Sequence, residues 1–118
     1  MERDELITYV QTHFDSQTDY PWKKYPHYCV LRHPTSNKWF GLIMNVSHRQ
    51  LGLGNDDERE DILVVKAEPE LVEMLKHQDG FLPAYHMNKE HWISIRLNQH
   101  SLSDIQSFLT DSYQLTEK

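Results

Sequence analysis

The side chains with the most chemical potential lie between Tyr85 and His91, where the sequence is Tyr-His-Met-Asn-Lys-Glu-His. This segment holds a phenol hydroxyl, two imidazoles, an amide, an ammonium group and a carboxylate. Loops with so many hydrogen-bonding groups are often the parts of a protein that bind or catalyse. Imidazoles also serve as acids, bases or metal ligands near neutral pH. The spacing of His86 and His91 therefore has to be compared with the known patterns for such sites.

The two histidines match no common catalytic or metal-binding pattern. His86 and His91 are five residues apart, whereas the helical zinc motif His-Glu-x-x-His places its histidines four apart. The sequence also has no glycine-rich phosphate loop and no nucleophile elbow. Cys29, the one thiol, is predicted to be a small buried hydrophobic residue. The sequence therefore predicts a protein that is not an enzyme and that binds no metal or cofactor.

A structural role is the simpler interpretation of the polar segment. We expect His86 and Asn88 to hydrogen-bond the backbone of an irregular turn, because short polar side chains stabilise such turns. Tyr85, His91 and Trp92 complete a motif to which the residue pattern alone assigns no role.

A strand follows the polar segment and would hold it in place. Ile93, Ile95 and Leu97 fall on one face of this strand, which the period of two predicts to be buried. Trp92 and Arg96 fall on the opposite face. The motif is therefore predicted to lie where an irregular turn enters a half-buried strand.

Length and composition indicate one ordinary globular domain covering residues 1–118. Charged residues make up 25% of the chain and apolar residues 38%, so disorder is not expected. The first residues are too acidic for a signal peptide, and no apolar run is long enough to cross a membrane. A single cysteine permits no internal disulfide. We therefore expect a cytoplasmic protein without membrane partners.

The charge is unevenly distributed along a chain of formal net charge −6. No acidic residue occurs from Tyr20 to Asn55, where basic residues alternate with Trp22, Tyr25 and Tyr28. Cations that contact phosphates and aromatic rings that stack on bases are the usual means of binding nucleic acid. The first hypothesis is therefore a non-enzymatic module that binds DNA through a basic, aromatic-rich hairpin face. Its candidate contact residues are Lys23, Lys24, Arg32, Lys38, Trp39, Lys66, Lys89 and Arg96.

A protein-interaction module or homodimer is the alternative hypothesis. The overall negative charge opposes strong non-specific binding of nucleic acid, which depends on neutralising phosphates. Trp39 and Trp92 are predicted on strand faces opposite the aliphatic core, and tryptophan often anchors protein interfaces. We expect the sheet to be exposed on this face, which could therefore bind a protein partner or a second copy of the chain, with no role in nucleic-acid binding.

Hydrophobic periodicity predicts the order helix, three strands, helix, strand, helix. Consecutive strands without long crossovers pair antiparallel, so the fold class is α+β, an antiparallel sheet flanked by helices. The predicted elements are a helix over 2–14, strands over 28–33, 38–46 and 62–66, a helix from Pro69 to Gly80, a strand over 92–97, and a last helix with Ser103 and Gln106 as its capping box. Between them, 47–61 is predicted to be a long, acidic, solvated linker.

The second predicted strand contains a glycine, Gly41, that has two structural interpretations. Alternation places Phe40 with Leu42, Met44 and Val46 on one face. Gly41, on the other face beside Trp39, is predicted either to leave space for a large ring or to mark a bulge.

Four separated motifs together resemble the MmcQ/YjbR family of small bacterial proteins. The resemblance spans nearly the whole chain and implies an α+β fold with an antiparallel sheet, a proposed DNA-binding role through a wing-like arrangement of strands, and a likeness to secretion chaperones, which bind protein. The sequence departs from the family pattern at Asp15 to Tyr20, which replaces a Pro-Gly, and in the long acidic loop from Ser47 to Asp61. Carboxylates of that loop would repel phosphates if they lay beside the wing. The four motifs are Lys38-Trp39-Phe40, Lys66-Ala67-Glu68-Pro69-Glu70-Leu71, Tyr85-His86-Met87-Asn88-Lys89-Glu90-His91-Trp92 and Ser112-Tyr113.

Overall fold

A computed structural model describes residues 1–117. The predicted order of longer helices and strands is confirmed, and short additional elements lie between them. The elements are α1 (Arg3–His13), β1 (Gln17–Asp19), β2 (Cys29–Arg32), β3 (Trp39–Ser47), α2 (His48–Leu51), β4 (Arg59–Lys66), α3 (Pro69–Leu75), β5 (Phe81–Pro83), β6 (Trp92–Arg96), a 3-10 turn (Leu97–Gln99) and α4 (Leu102–Thr116).

All strands belong to one antiparallel sheet in the order β1-β2-β3-β4-β6-β5. The long strands β3 and β4 form its centre, with Leu42 opposite Val64 and Ile43 opposite Leu63. β6 pairs with the other edge of β4, which brings Ser94 opposite Val64. The polar motif of residues 85–91 therefore enters the sheet directly beside its central strand.

The three longer helices pack on one face of the sheet, called here the helix face. α1 contributes Leu6 and Val10 to this core, and α4 contributes Ile105 and Leu109. The strand residues beneath them alternate as expected, because a half-buried strand buries every second side chain. Among these strand residues are Leu31, Ile43, Leu63, Val65, Ile93 and Ile95.

A bulge in β3 makes the predicted face of Phe40 wrong. Leu31 pairs with Gly41, but the next residue, Arg32, pairs with Trp39, so the register shifts there. Phe40 consequently packs in the helix-face core, while Leu42 packs with Trp39 on the opposite face. A bulge places two successive residues against one partner and reverses the alternation beyond it.

The opposite face of the sheet, called here the loop face, is covered by irregular chain. The predicted exposed sheet face is therefore wrong in this respect. Its buried strand residues include Val30, Leu42, Met44 and Val64. The aromatic side chains packed over them come partly from outside the sheet, so this face is a second core that is open at one place. Its partly buried members are Trp22, Trp39, Leu51, Tyr85, Met87 and Trp92.

Ser112 on α4 ties the sheet together where the β3–β4 ladder ends. Its hydroxyl donates to the carbonyl oxygen of Phe40 at 2.6 Å and accepts from the backbone N–H of Lys66 at 2.9 Å. Its neighbour Tyr113 packs edge-on to Phe40 and donates from its hydroxyl to the carbonyl of Asp15 at 2.8 Å. The Ser-Tyr motif thus closes the last helix against the sheet.

His33 is buried beside the end of α4. Its Nε2 lies 2.8 Å from Oγ1 of Thr116, whose hydroxyl donates to the carbonyl oxygen of Ser112 at 2.7 Å. Because that hydroxyl proton is already used, Nε2 must donate, and the His33 ring carries its proton there. Burial lowers the pKa of His33 below its ordinary value of 6.5, and the positive charge of Lys38 adds to this effect, while the negative charge of Glu117 opposes it without reversing it.

Stability is therefore expected to fall on acidification below about pH 6.5, where the unfolded chain binds a proton that the folded chain excludes. The slope from one such group is at most about 1.4 kcal/mol per pH unit. In His33→Gln, urea denaturation across this range should show a flatter pH profile than in the parent protein. His91→Gln, at an exposed ring, is the matched control and should keep the parent profile. Unchanged pH dependence in His33→Gln would contradict the assignment.

Candidate functional site

The turn before β6 is built around Asn88. Its Oδ1 accepts the backbone N–H groups of Glu90 at 2.8 Å and His91 at 3.2 Å, while its carbonyl oxygen accepts from Trp92 at 3.0 Å. A side chain that satisfies successive backbone donors fixes an irregular turn. The structural role predicted for Asn88 is confirmed.

Further contacts fasten this turn to the sheet. Nζ of Lys89 donates to the carbonyl of Ala84 at 2.8 Å, and the backbone N–H of Tyr85 donates to Oγ of Ser94 at 3.0 Å. The carbonyl of His91 accepts from the backbone N–H of Ala67 at 3.0 Å, beyond the end of β4. The turn is thus fastened to both β4 and β6.

His86 does not have the role that the sequence predicts. Within residues 1–117 its ring makes no hydrogen bond, and the residue adopts a left-handed backbone conformation with φ of 60°. The ring is exposed and lies against Tyr85, with 4.1 Å between centroids. A left-handed conformation favours glycine or asparagine. In this conformation, His86 lines a neighbouring cavity.

This aromatic cavity opens on the loop face and has a volume of ≈ 330 Å³. Aromatic, thioether and aliphatic side chains form most of its wall, and none of its lining residues is acidic. A concave, largely apolar site with few polar groups is the usual form of a small-ligand site. The lining residues are Trp22, Tyr25, Tyr28, Trp39, Leu42, Met44, Gln50, Tyr85, His86 and Met87.

Trp22 organises the rings of the aromatic cavity. It lies edge-on to Trp39, with centroids 5.8 Å apart, and edge-on to Tyr28, with centroids 6.0 Å apart. Tyr25 stacks on Tyr28 at 4.8 Å with an interplanar angle of 13°. Edge-to-face and offset-stacked pairs are the favoured aromatic arrangements, so these walls are preformed.

The walls of the aromatic cavity are mostly apolar, and cationic side chains lie at its rim. Burial raises the pKa of the Tyr28 hydroxyl, and the nearby hydroxyls of Tyr85 and Tyr25 raise it further. Nζ of Lys24 is 5.9 Å from the centroid of the Tyr25 ring. The Arg32 guanidinium carbon is 5.4 Å from the centroid of the Trp39 ring. Both distances are in the cation–π range.

The structure brings five of the predicted contact residues, including Trp39 in the cavity wall, to one region. Lys23 and Lys24 are exposed on the segment that carries Trp22, and Lys38 is exposed immediately before Trp39. Arg32 also binds Oδ2 of Asp19 at 3.0 Å, which neutralises part of its charge.

The other predicted contact residues have different surroundings. Arg96 donates from Nε and Nη2 to the buried Glu60 carboxylate at 2.8 and 2.9 Å. Lys66 lines a separate cavity beside α4, together with Glu68 and Asp111. Lys89 lines a depression next to the aromatic cavity, with its Nζ already bonded to backbone.

The acidic region begins near the far end of β3 and is largely paired within itself. His48 lies 3.0 Å from Oδ1 of Asp56 and 2.9 Å from Oε2 of Glu60. Arg49 lies 3.3 Å from Oδ1 of Asp57. The predicted linker over 47–61 is thus partly regular, because it includes α2 and the first residues of β4.

The comparisons with known proteins agree with this architecture. The YjbR family model matches residues 13–115, so the chain belongs to the YjbR family. The uncharacterized protein YyaQ of Bacillus subtilis is 42% identical over 99% of both chains. A crystal structure of a Pseudomonas syringae protein superposes with a TM-score of 0.92 at 44% identity, covering 98% of this chain and 99% of that one.

A more distant structure supports the fold alone. DR2400 of Deinococcus radiodurans has a TM-score of 0.70 at 22% identity, covering 96% of this chain and 76% of that one. Within residues 1–117, no helix is long and apolar enough to cross a membrane. The family and its fold are established by these matches, and function has to be argued from the site.

Sequence reasoning missed several residues of the aromatic cavity. Gln50 and Met87 come from α2 and the turn before β6, and only the fold places them beside Trp22. The acid-free stretch rich in aromatic residues was the available signal, since it contains Tyr25 and Tyr28 as well.

Proposed function

We propose that this protein is a non-enzymatic nucleic-acid-binding module that uses the rim and walls of the aromatic cavity. The observation that carries the proposal is the origin of the cavity wall. Seven of its ten lining residues come from the acid-free stretch of residues 20–55, which also carries Lys23, Lys24 and Lys38. Cations beside stacked aromatic rings are the arrangement that binds phosphates and bases together.

The distribution of charge supports this face over others. Lys38 and Arg32 lie at the Trp39 end of β3, whereas the acidic loop follows Ser47 at its other end. Eight residues of extended strand separate these ends by about 26 Å, since each residue advances about 3.3 Å. The start of the acidic loop therefore lies beyond roughly two Debye lengths from Lys38 and Arg32 at physiological salt. Lys24 is closer to that end of β3, where it lines a depression with Asn45 and Arg59.

Binding without catalysis is favoured by the surroundings of the reactive groups. Burial raises the pKa of the Cys29 thiol, which makes the nucleophilic thiolate less available. His33 and His48 are engaged in hydrogen bonds with Thr116, Asp56 and Glu60.

A charge reversal at the rim tests the proposal. In Lys24→Glu or Lys38→Glu, affinity for a mixed-sequence single strand at low salt should fall about tenfold, and the slope of log affinity against log salt should decrease by about one. Tryptophan fluorescence titration measures both, since two of the three tryptophans line the aromatic cavity.

Lys76→Glu is the control because it makes the same change of charge on the helix side of the sheet, where Lys76 pairs with Glu73 at 2.8 Å. Its affinity should stay within about twofold of the parent. Equal losses in all three variants would show that only net charge matters, and no binding even at low salt would refute the proposed function.

A protein partner or self-association is the second candidate function. The observation favouring it is the exposure of Tyr25 (42%) in the segment that carries the half-buried Trp22, since exposed aromatic residues often anchor interfaces. Sedimentation velocity over a hundredfold range of concentration tests self-association. A constant monomer value excludes the homodimer.

A further inference from the structure

The shape and composition of the aromatic cavity indicate what kind of group it accepts. Its volume of ≈ 330 Å³ is at the lower end of the range of about 300–1,000 Å³ for ligand sites. Its walls are flat rings with Leu42, Met44 and Met87 between them. Flat rings and polarizable thioethers favour a flat, aromatic occupant over an aliphatic or charged one.

Two polar side chains at the cavity can bond the edge of such a ring. Oε1 of Gln50 accepts from the backbone N–H and the hydroxyl of Ser47, at 2.9 and 3.1 Å. This fixes the amide and leaves its nitrogen as the donor for a ligand. The His86 imidazole, which offers a donor and an acceptor, also lines the cavity. A heteroaromatic ring with its own donors and acceptors fits these groups better than a plain hydrocarbon ring.

The charges around the mouth indicate that the ring is attached to an anion. Lys24 lies over Tyr25 and Arg32 over Trp39, so cations flank two lining aromatics. No carboxylate lines the aromatic cavity itself. An anionic group outside the mouth would meet these cations while the ring stays in the apolar interior.

We propose that the aromatic cavity binds one unpaired nucleobase of a single strand, with the adjacent phosphates on Lys23, Lys24 and Lys38. This inference rests on the proposed function and deepens it. A base within a duplex is stacked on both sides and paired, so it cannot enter without being extruded. The protein is therefore selective for single-stranded over double-stranded nucleic acid, a selectivity that the basic rim alone would not provide.

The variant that tests the inference is Tyr25→Ala. Tyr25 lines the cavity but is 42% exposed, so its removal leaves the fold in place. Loss of one stacking ring should weaken binding of a short mixed-sequence single strand about five- to a hundredfold, with the salt slope unchanged. Tyr20→Ala is the matched control, since Tyr20 is 51% exposed in the same segment and does not line the cavity.

A second variant separates binding from folding. His86→Gly removes an imidazole from the cavity wall at a position with φ of 60°, which glycine adopts without strain. We expect an unchanged or higher stability in urea together with a severalfold loss of affinity for the single strand. Because neither variant removes a rim cation, the loss of affinity for the single strand should exceed any loss for a hairpin duplex.

The pattern of outcomes distinguishes this inference from the proposed function. Equal affinity for single strand and duplex, sensitive to Lys24→Glu but not to Tyr25→Ala, would overturn the base-binding inference and leave the proposed function standing. Absence of binding to either nucleic acid would overturn both. A free deoxynucleotide monophosphate that binds as tightly as the strand would overturn the assignment to a strand, because the flanking phosphates would then contribute nothing.

Discussion

Replacing Arg96 with methionine is expected to destabilise the protein by roughly 3–5 kcal/mol, because it leaves the buried Glu60 carboxylate without its main partner. The Glu60 side chain is 4% exposed and that of Arg96 is 22% exposed, so water compensates little. Urea denaturation at neutral pH measures the loss. Arg49→Met is the control, since its ion pair with Asp57 is mostly exposed and should contribute no more than about 1 kcal/mol.

The pH dependence of the Arg96→Met effect is a further check on the same ion pair. Burial raises the pKa of Glu60, but hydrogen bonds and charge from Arg96, with a smaller contribution from His48, outweigh it and hold the pKa below 4.5. A lowered folded-state pKa stabilises the fold above the unfolded-state pKa, and this stabilisation is lost as pH falls through the folded-state value. The difference between Arg96→Met and the parent should therefore shrink in acid, where the carboxyl is protonated.

The double variant Arg96→Met/Glu60→Gln should recover part of the stability, since no buried charge is then left unpaired. A double variant as unstable as the sum of the two single variants would show that the ion pair is not coupled. Unchanged binding of a single strand by folded Arg96→Met would remove Arg96 from the predicted contact residues.

The strand pattern of the sequence was sufficient for most of the fold because alternation is a local property. Ile93 and Ile95 share one buried face as predicted, and β4 includes the apolar run that ends at Lys66. At Phe40 the alternation pattern predicts the wrong face. One bulged residue reverses the faces of the residues on its far side, here Trp39 and Phe40, and glycine at position 41 signals a bulge without proving it.

The residue at which each helix begins was harder to predict than the presence of the helix. Two serines, Ser101 and Ser103, stand at the start of the last helix, and Ser103 followed by Gln106 resembles a capping box as closely as the observed pair does. The structure instead begins α4 after Ser101, whose backbone N–H donates to Oδ2 of Asp104 at 3.0 Å. Such competing local signals are decided by packing, which here places Ile105 and Leu109 in the core.

The candidate site was predicted less completely because it depends on contacts between distant segments. In the sequence alone, Arg96 cannot be distinguished from an arginine that contacts phosphate. Its ion pair with Glu60, 36 residues away in the chain, is visible only in the folded structure. The basic and aromatic stretch indicated Trp39 and Lys24 as candidate contact residues but not that they lie near one cavity, where the structure packs Trp39 against Trp22 and places Lys24 over Tyr25. The cavity itself required the register of β2 with β3 and the approach of the turn at Tyr85.

The second large effect is expected for Ser112→Ala, with a loss of about 2–4 kcal/mol in the free energy of unfolding. The hydroxyl of Ser112 bonds both the Phe40 carbonyl and the Lys66 N–H, and the side chain is fully buried. Each buried polar group left without a partner costs about 1–3 kcal/mol. Urea denaturation measures the total.

Amide hydrogen exchange locates the effect of Ser112→Ala within the sheet. The Lys66 amide should exchange faster than in the parent by more than global destabilisation explains, because its own acceptor has been removed. Ser107→Ala, at an exposed position of the same helix, is the control and should change stability by no more than about 0.5 kcal/mol. If Ser112→Ala were no less stable than Ser107→Ala, the bridge between β3 and β4 would not hold the strands together. The Ser-Tyr motif would then act through the packing of Tyr113 alone.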